Sequence, residues 1–204
     1  MISQKRIGQI GVIAPLWFFC LYVIMSSRRP EYSHLHKAIS ELGSLDAPNL
    51  WIWNVLGYIV PGLAVSLLGF GLNREFSQAS QRMLTPTAAL VTSGLLMALS
   101  GVFPGDFQDR ASATMILHSI GSVGSYAGFL IAGFWLPKVF RQHEGWRWIV
   151  WPSLALVVGS VATGFLRSGT APGLGQRLAF ACFFLWVGLV SIGLLRSGNR
   201  SGAV

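Results

Sequence analysis

The stretch Leu50–Leu72, LWIWNVLGYIVPGLAVSLLGFGL, runs for 23 residues without an Asp, Glu, Lys or Arg. At ~1.5 Å per residue this is long enough to cross a bilayer core of roughly 30 Å as an α-helix. Working outward, five more runs have the same character: Ile7–Met25, Met83–Phe103, Thr114–Leu136, Trp148–Leu166 and Leu178–Leu195. Together the six take 123 of 204 residues, and the longest connecting piece, Ser26–Asn49, has 24. No separate soluble domain fits in what remains. The expectation is an all-α, polytopic membrane protein, with six transmembrane helices in one bundle and a single domain over residues 1–204.

Composition agrees. Hydrophobic residues make up 52% and charged residues 11%, against about 25% charged in soluble domains. That excludes a disordered chain and argues against a water-soluble enzyme. The net charge of +8 does not point to nucleic acid, because Lys and Arg occur in ones and twos at the ends of apolar runs. In such places they anchor helices at headgroups. Cys20 and Cys182 both fall inside runs and read as small buried hydrophobes. Lys5 and Arg6 precede the first run as in a secretory signal, but its length exceeds a signal core and no cleavage site follows, so it reads as a retained helix.

Proline marks boundaries. Thr85-Pro86 reads as a cap and first turn of the third helix, and Pro152 opens the fifth. Pro104 is expected to stop the third helix and Pro137 the fourth. Pro15 and Pro61 lie inside runs and should only kink them. With the N-terminus inside, nine Lys/Arg lie on inner pieces, Arg82 and Arg200 among them, and six on outer ones, including Arg167 and Arg177. This favours both termini in the cytoplasm of an inner (cytoplasmic) membrane. Trp51, Trp53, Trp135, Trp146 and Trp148 sit where an interfacial belt would be. The fourth run has a small-residue face (Ser119, Gly121, Ser122, Gly124, Ser125 and Gly128), and small residues at four-residue spacing occur at Gly94-Ala98, Ala155-Gly159 and Ser160-Gly164. They point to helices three, four and five as the tight centre. No internal repeat supports an inverted-repeat transporter.

The acids are asymmetric. Five of seven carboxylates, Glu31, Glu41, Asp46, Asp106 and Asp109, lie in the first and third loops. Two helices separate those loops, so they share a face. His34, His36 and His118 belong to that face too, whereas His143 lies in an inner loop and reads as solvated. His118 stands about one turn into the fourth helix, ~6 Å from its start. There a polar group needs a partner or a wet pocket, and Asp106 and Asp109 are the nearest acids. The alternative is a structural histidine bonded to carboxylate or backbone. The first loop, with Glu31, Tyr32, His34, His36, Ser40 and Glu41, is long for a connector and reads as lid-like. His34-x-His36 with His118 is a weak zinc pattern, and no metal is assigned. Ser40 with His118 as base and Asp106 as orienting group would make a nucleophilic set, but no Gly-x-Ser-x-Gly elbow is present. A local cap or turn is the simpler role for Ser40.

Glu31-Tyr32-Ser33, Ile39-Ser40-Glu41-Leu42-Gly43, Gly101-Val102-Phe103-Pro104 with Gly105 before Asp106, and His118 together resemble a prokaryotic integral membrane family. It is catalogued as domain of unknown function number 998. The resemblance spans all six runs and implies a multi-helix membrane protein whose motif residues cluster on one face. It implies no activity. The residues themselves rank a hydrolase or transferase first, acting on a lipid or lipid-linked substrate. In that reading His118, Asp106, Ser40 and Glu41 are catalytic, and Glu31, Tyr32, His34, His36 and Asp109 line the pocket. A carrier for a neutral or apolar solute, or a non-catalytic partner or sensor subunit, is the alternative. The lipid bilayer is the expected partner, together with a homo-oligomer or another membrane protein. No cofactor is assigned, and haem is disfavoured because it needs two axial histidines at mid-membrane.

Overall fold

The computed structural model describes residues 2–76, 84–167 and 169–200. Among them there is no strand. Six helices are long and apolar enough to cross a membrane: α1 (Gln4–Ser27), α2 (Leu50–Phe76), α3 (Leu84–Val102), α4 (Ala113–Gln142), α5 (Glu144–Leu166) and α6 (Pro172–Arg200). The expected helix start at Met83, the side chains of Arg167 and Arg200, and all of Arg82 lie outside the described residues. Each helix packs on the next in sequence and α6 closes back onto α1, so the six form a ring.

Local chemistry explains the ends. Ser3 and Ser112 accept the Arg6 and Met115 N–H groups and cap α1 and α4, using N–H groups that the first turn cannot pair. In α2, residues Asn54–Ile59 form a π-helical segment just before Pro61. The Val60 N–H bonds Val55 O across five residues, and Pro61 has no N–H to give. The Leu56 carbonyl is thereby released, and Trp17 Nε1 of α1 donates to it at 2.8 Å. The kink expected at Pro61 is thus a π-bulge that ties α2 to α1.

Pro104 follows the end of α3, as expected, but Pro137 does not stop α4, which continues to Gln142. The lost hydrogen bond is offset by packing beyond it: Phe140 is fully buried, stacked on Trp146 at 5.1 Å and beside Phe76 at 6.0 Å. Trp53 and Trp146 are likewise core residues, not belt residues, while Trp51, Trp135 and Trp148 remain exposed. Cys20 is exposed and Cys182 half-buried, both as free thiols, so neither is fully buried as expected. His143 is half-buried with its ring 4.8 Å from Phe76, more sheltered than a solvated loop residue.

The tight centre is α2–α3–α4, and α5 is outside it. A Cβ on Gly62 would lie 2.5 Å from Gly94 O, one on Gly94 would overlap Gly62 O and Ser66, and one on Gly128 would lie 2.7 Å from Ala89 O. On α5, a Cβ on Gly159 would only touch Cys182 at 3.3 Å, and one on Gly164 meets nothing within 4 Å.

Candidate functional site

The first loop folds into a plug over one end of the ring. Its 3-10 turn, Ile39–Gly43, buries Ile39, Ser40 and Leu42. Glu41 Oε1 accepts the Ala38 N–H at 2.7 Å, holding the start of the turn. Lys37 Nζ lies 4.0 Å from the other Glu41 oxygen. Arg29 donates to the Glu41 carbonyl at 2.8 Å and to Glu31 Oε1 at 2.6 Å. The Arg29 hydrogen bond holds the Glu31 carboxyl below its ordinary range, and the Ser44 hydroxyl does the same for Asp46. The Leu45 N–H bonds Gly105 O at 3.0 Å, so the first and third loops meet.

A residue counted in the sequence only as a flanking positive charge organises this plug. Arg177, in the second turn of α6, donates from Nε to Tyr22 Oη at 2.6 Å and from a terminal nitrogen to Tyr32 Oη at 2.6 Å. Its other terminal nitrogen reaches Lys37 O at 2.8 Å and Gly173 O at 2.6 Å. The guanidinium also lies over both tyrosine rings, at 5.5 and 5.1 Å, a favourable cation–π arrangement. Burial pushes the Tyr32 phenol well above its ordinary value. It therefore keeps its proton, which goes to Ala38 O at 2.8 Å. Tyr22 Oη accepts from Arg177 and shares a further hydrogen bond with His34 Nδ1. The partners lie 155 and 145 residues away in sequence, so no local pattern signals the role.

Beneath the plug, His118 is buried. Its Nδ1 lies 2.9 Å from Ser100 O and 3.0 Å from Phe103 O. Both partners are acceptors, so Nδ1 carries the hydrogen and caps the carbonyl end of α3. The pairing expected with Asp106 or Asp109 does not form. Asp106 Oδ1 accepts the Gln108 and Asp109 N–H groups and Asp109 Oδ1 accepts that of Ala111. Both acids serve turns of their own loop, whose exposed amides lie closer than the imidazole. The Tyr58 ring stands edge-on to His118 at 5.9 Å, and its hydroxyl sits against Ser40. The Trp53 indole N–H is buried beside the same hydroxyl, and Asn54 Oδ1 is buried in this layer without a protein partner among the described residues. His34 and His36 are exposed. Among the described residues no three His, Cys, Asp or Glu side chains come together to hold a metal.

Below His118, a cavity of about 230 Å³ opens between α3, α4 and α6. Its polar wall is Tyr58, Ser100, Ser122, Ser125, Tyr126 and Gln176; its apolar wall includes Met97, Val123, Phe180 and Phe183. Among the described residues no charged side chain lines it. Val123 is 69% exposed on the outer surface of α4, so the cavity reaches the flank of the ring. Phe129 meets Phe183 and Trp186 at 4.9 and 5.5 Å, holding α4 to α6 farther along. Tyr126 lies two turns beyond His118, ~12 Å deeper. The sequence shows these serines as a small-residue face but gives no sign that part of that face borders an open space.

A family model described as "Protein of unknown function (DUF998)" matches residues 12–193, and the chain belongs to that family. No curated protein and no solved structure matches the chain.

Proposed function

Starting from that membership, we propose that this multi-pass membrane protein takes an uncharged, lipid-like molecule sideways from the bilayer into the cavity between α3, α4 and α6. The observation that carries the reading is a charge-free cavity with Val123, exposed on the flank of the ring, in its wall. An apolar space with a few oriented polar groups is the ordinary form of a small-molecule site. An ionic solute would find no counter-charge here, which favours a neutral lipid or apolar solute over an ion. The placement we favour is an inner membrane with both termini cytoplasmic, on the nine-to-six distribution of Lys and Arg.

The test is native mass spectrometry of the purified protein beside Val123→Trp. We expect a bound lipid-mass adduct on the parent protein and its loss from the variant, which remains folded because the indole extends at the lipid-facing rim. A parent protein with no adduct, or equal adducts in both, would sink the proposal.

A second reading, lipid hydrolysis or transfer, draws on one observation. With Nδ1–H fixed on two carbonyls, the basic nitrogen of His118 is Nε2, and Tyr58 and Ser40 lie in the same layer. The Ser100 and Phe103 carbonyls would take the orienting role first given to Asp106, with Ser40 as nucleophile. Glu31 and Glu41 then hold the plug in shape. Loss of ester turnover in Ser40→Ala, with lipid adducts retained, would move the assignment to this reading.

A further inference from the structure

Gln176 is a polar group of the cavity with donor capacity left over. Its Oε1 accepts the Ile39 N–H of the plug at 2.6 Å. That bond settles which corner of the amide is nitrogen. Nε2 donates to no protein group among the described residues. Four neighbouring hydroxyls, those of Ser100, Ser122, Ser125 and Tyr126, are already engaged. Ser100 faces the His118 carbonyl and Ser122, and Ser125 faces Ser93. The Ser160 hydrogen goes to Val157 O, so Tyr126 gives its own to Ser160.

We infer that Gln176 Nε2 is the docking donor for an uncharged carbonyl oxygen at the head of the occupant, whose chain then runs along Met97, Val123, Phe180 and Phe183. This rests on the cavity being a lipid site. The choice of an acceptor follows from Oε1 being occupied, which leaves Gln176 only hydrogens to offer. The choice of an uncharged group follows from the lining. Arg177, the nearest cation in sequence, is not among the lining residues and turns four of its five N–H donors to Tyr22, Tyr32, Lys37 and Gly173. Two lipid sources carry such a group: the acyl ester of a glyceride and the ring carbonyl of an isoprenoid quinone.

The experiment uses full-length protein in alkyl maltoside micelles, whose heads carry no carbonyl. Three photoreactive probes share one diazirine-bearing chain and end in a diacylglycerol, a quinone or a plain hydrocarbon. In the parent protein we expect labelling of α4 and α6 peptides around the cavity by at least one carbonyl probe, and the stronger of the two identifies the source. In Gln176→Met that labelling should fall about three- to tenfold, the size of one hydrogen bond, while the hydrocarbon probe labels both proteins alike. Gln176→Glu, read at alkaline pH, keeps an acceptor for Ile39 and should lose the carbonyl probe to the same degree. Equal carbonyl labelling of parent and Gln176→Met overturns the inference. So does loss of all three probes in Gln176→Met with none in Gln176→Glu, which would assign the residue to anchoring the plug. If no probe labels the cavity in the parent protein, the lipid-site reading itself fails.

Discussion

Gly94-Ala98 on α3 and Ser160-Gly164 on α5 have the same small-residue spacing, and the molecule uses them differently. On α3 the pair lies against α2 so closely that a Cβ on Gly94 would overlap the Gly62 carbonyl, and one on Gly62 would stand 2.7 Å from Ala98 N. On α5, Gly164 has no neighbour within reach of a Cβ, and Phe165 beside it is 84% exposed. In lipid there is no hydrophobic drive to bring helices together, so close packing and interhelical hydrogen bonds must supply it. The α2–α3–α4 seam has both. Ser66 donates to Val91 O at 3.0 Å and Ser93 to Ser125 O at 2.7 Å. At Ser160 on α5 the contact to α4 is a single longer bond from Tyr126, at 3.3 Å, and the flank between α4 and α6 remains open as the cavity.

The contrast can be broken most forcefully at its tight end. Gly94→Leu should cost at least about 3 kcal/mol, since the added side chain meets backbone and not a yielding side chain. Thermal unfolding in detergent should show a large drop in midpoint or no folded protein at all. A midpoint unchanged from the parent would mean that the two helices can part without penalty.

Next in size is His118→Phe. The ring shape is roughly kept but the Nδ1 hydrogen is lost, which leaves the Ser100 and Phe103 carbonyls unpaired at a cost of about 1–3 kcal/mol. His118→Asn, whose shorter side chain still carries an N–H donor, should recover part of the loss in the same assay. If Phe is tolerated and Asn is not, the imidazole is serving something other than the end of α3.

Gly164→Ala is the counterpart at the loose end. With open space around it and a helical backbone, the change should be neutral or stabilise by about 0.5–1 kcal/mol. A destabilisation comparable to that of Gly94→Leu would show that α5 packs against something in the membrane, such as a second copy of the chain.

The smallest expected effect is on the plug. The Glu31 and Asp46 carboxyls lie below their ordinary values because Arg29 and Ser44 bond their charged forms. Their contribution is therefore present above the ordinary carboxylate range and is lost as pH falls through the lowered values. Hydrogen-exchange protection factors of residues 31–46, taken relative to the intrinsic rate at each pH, should fall in acid while the α2–α3–α4 seam stays protected. Uniform loss of protection across both regions would refute a locally held plug.

The candidate residues divide in the same way. Ser40, Tyr32, Glu41 and His118 are brought to one end of the ring, because the third and first loops meet there. Of these Ser40, Tyr32 and His118 are buried, Glu41 is half-buried like Asp106, and Asp109 and His36 are exposed at the same end. Even crossing of the bilayer places residues on a face, and nothing in the count says which of them turn inward. Arg177 shows the reverse case: its position at the edge of an apolar run resembles that of every other flanking cation, and only folding brings Tyr22 and Tyr32 around it.

What the sequence alone determined is the number of helices, their approximate spans and the pairing of the first loop with the third. Those depend on the length and charge of each run, and the bilayer imposes them locally. Which small-residue face becomes a seam, which histidine nitrogen holds its hydrogen and where a cavity remains were decided only by the tertiary structure. Each of these depends on how two helices distant in sequence approach each other, and in lipid that approach is set by shape complementarity and hydrogen bonding across the pair, which neither helix encodes by itself.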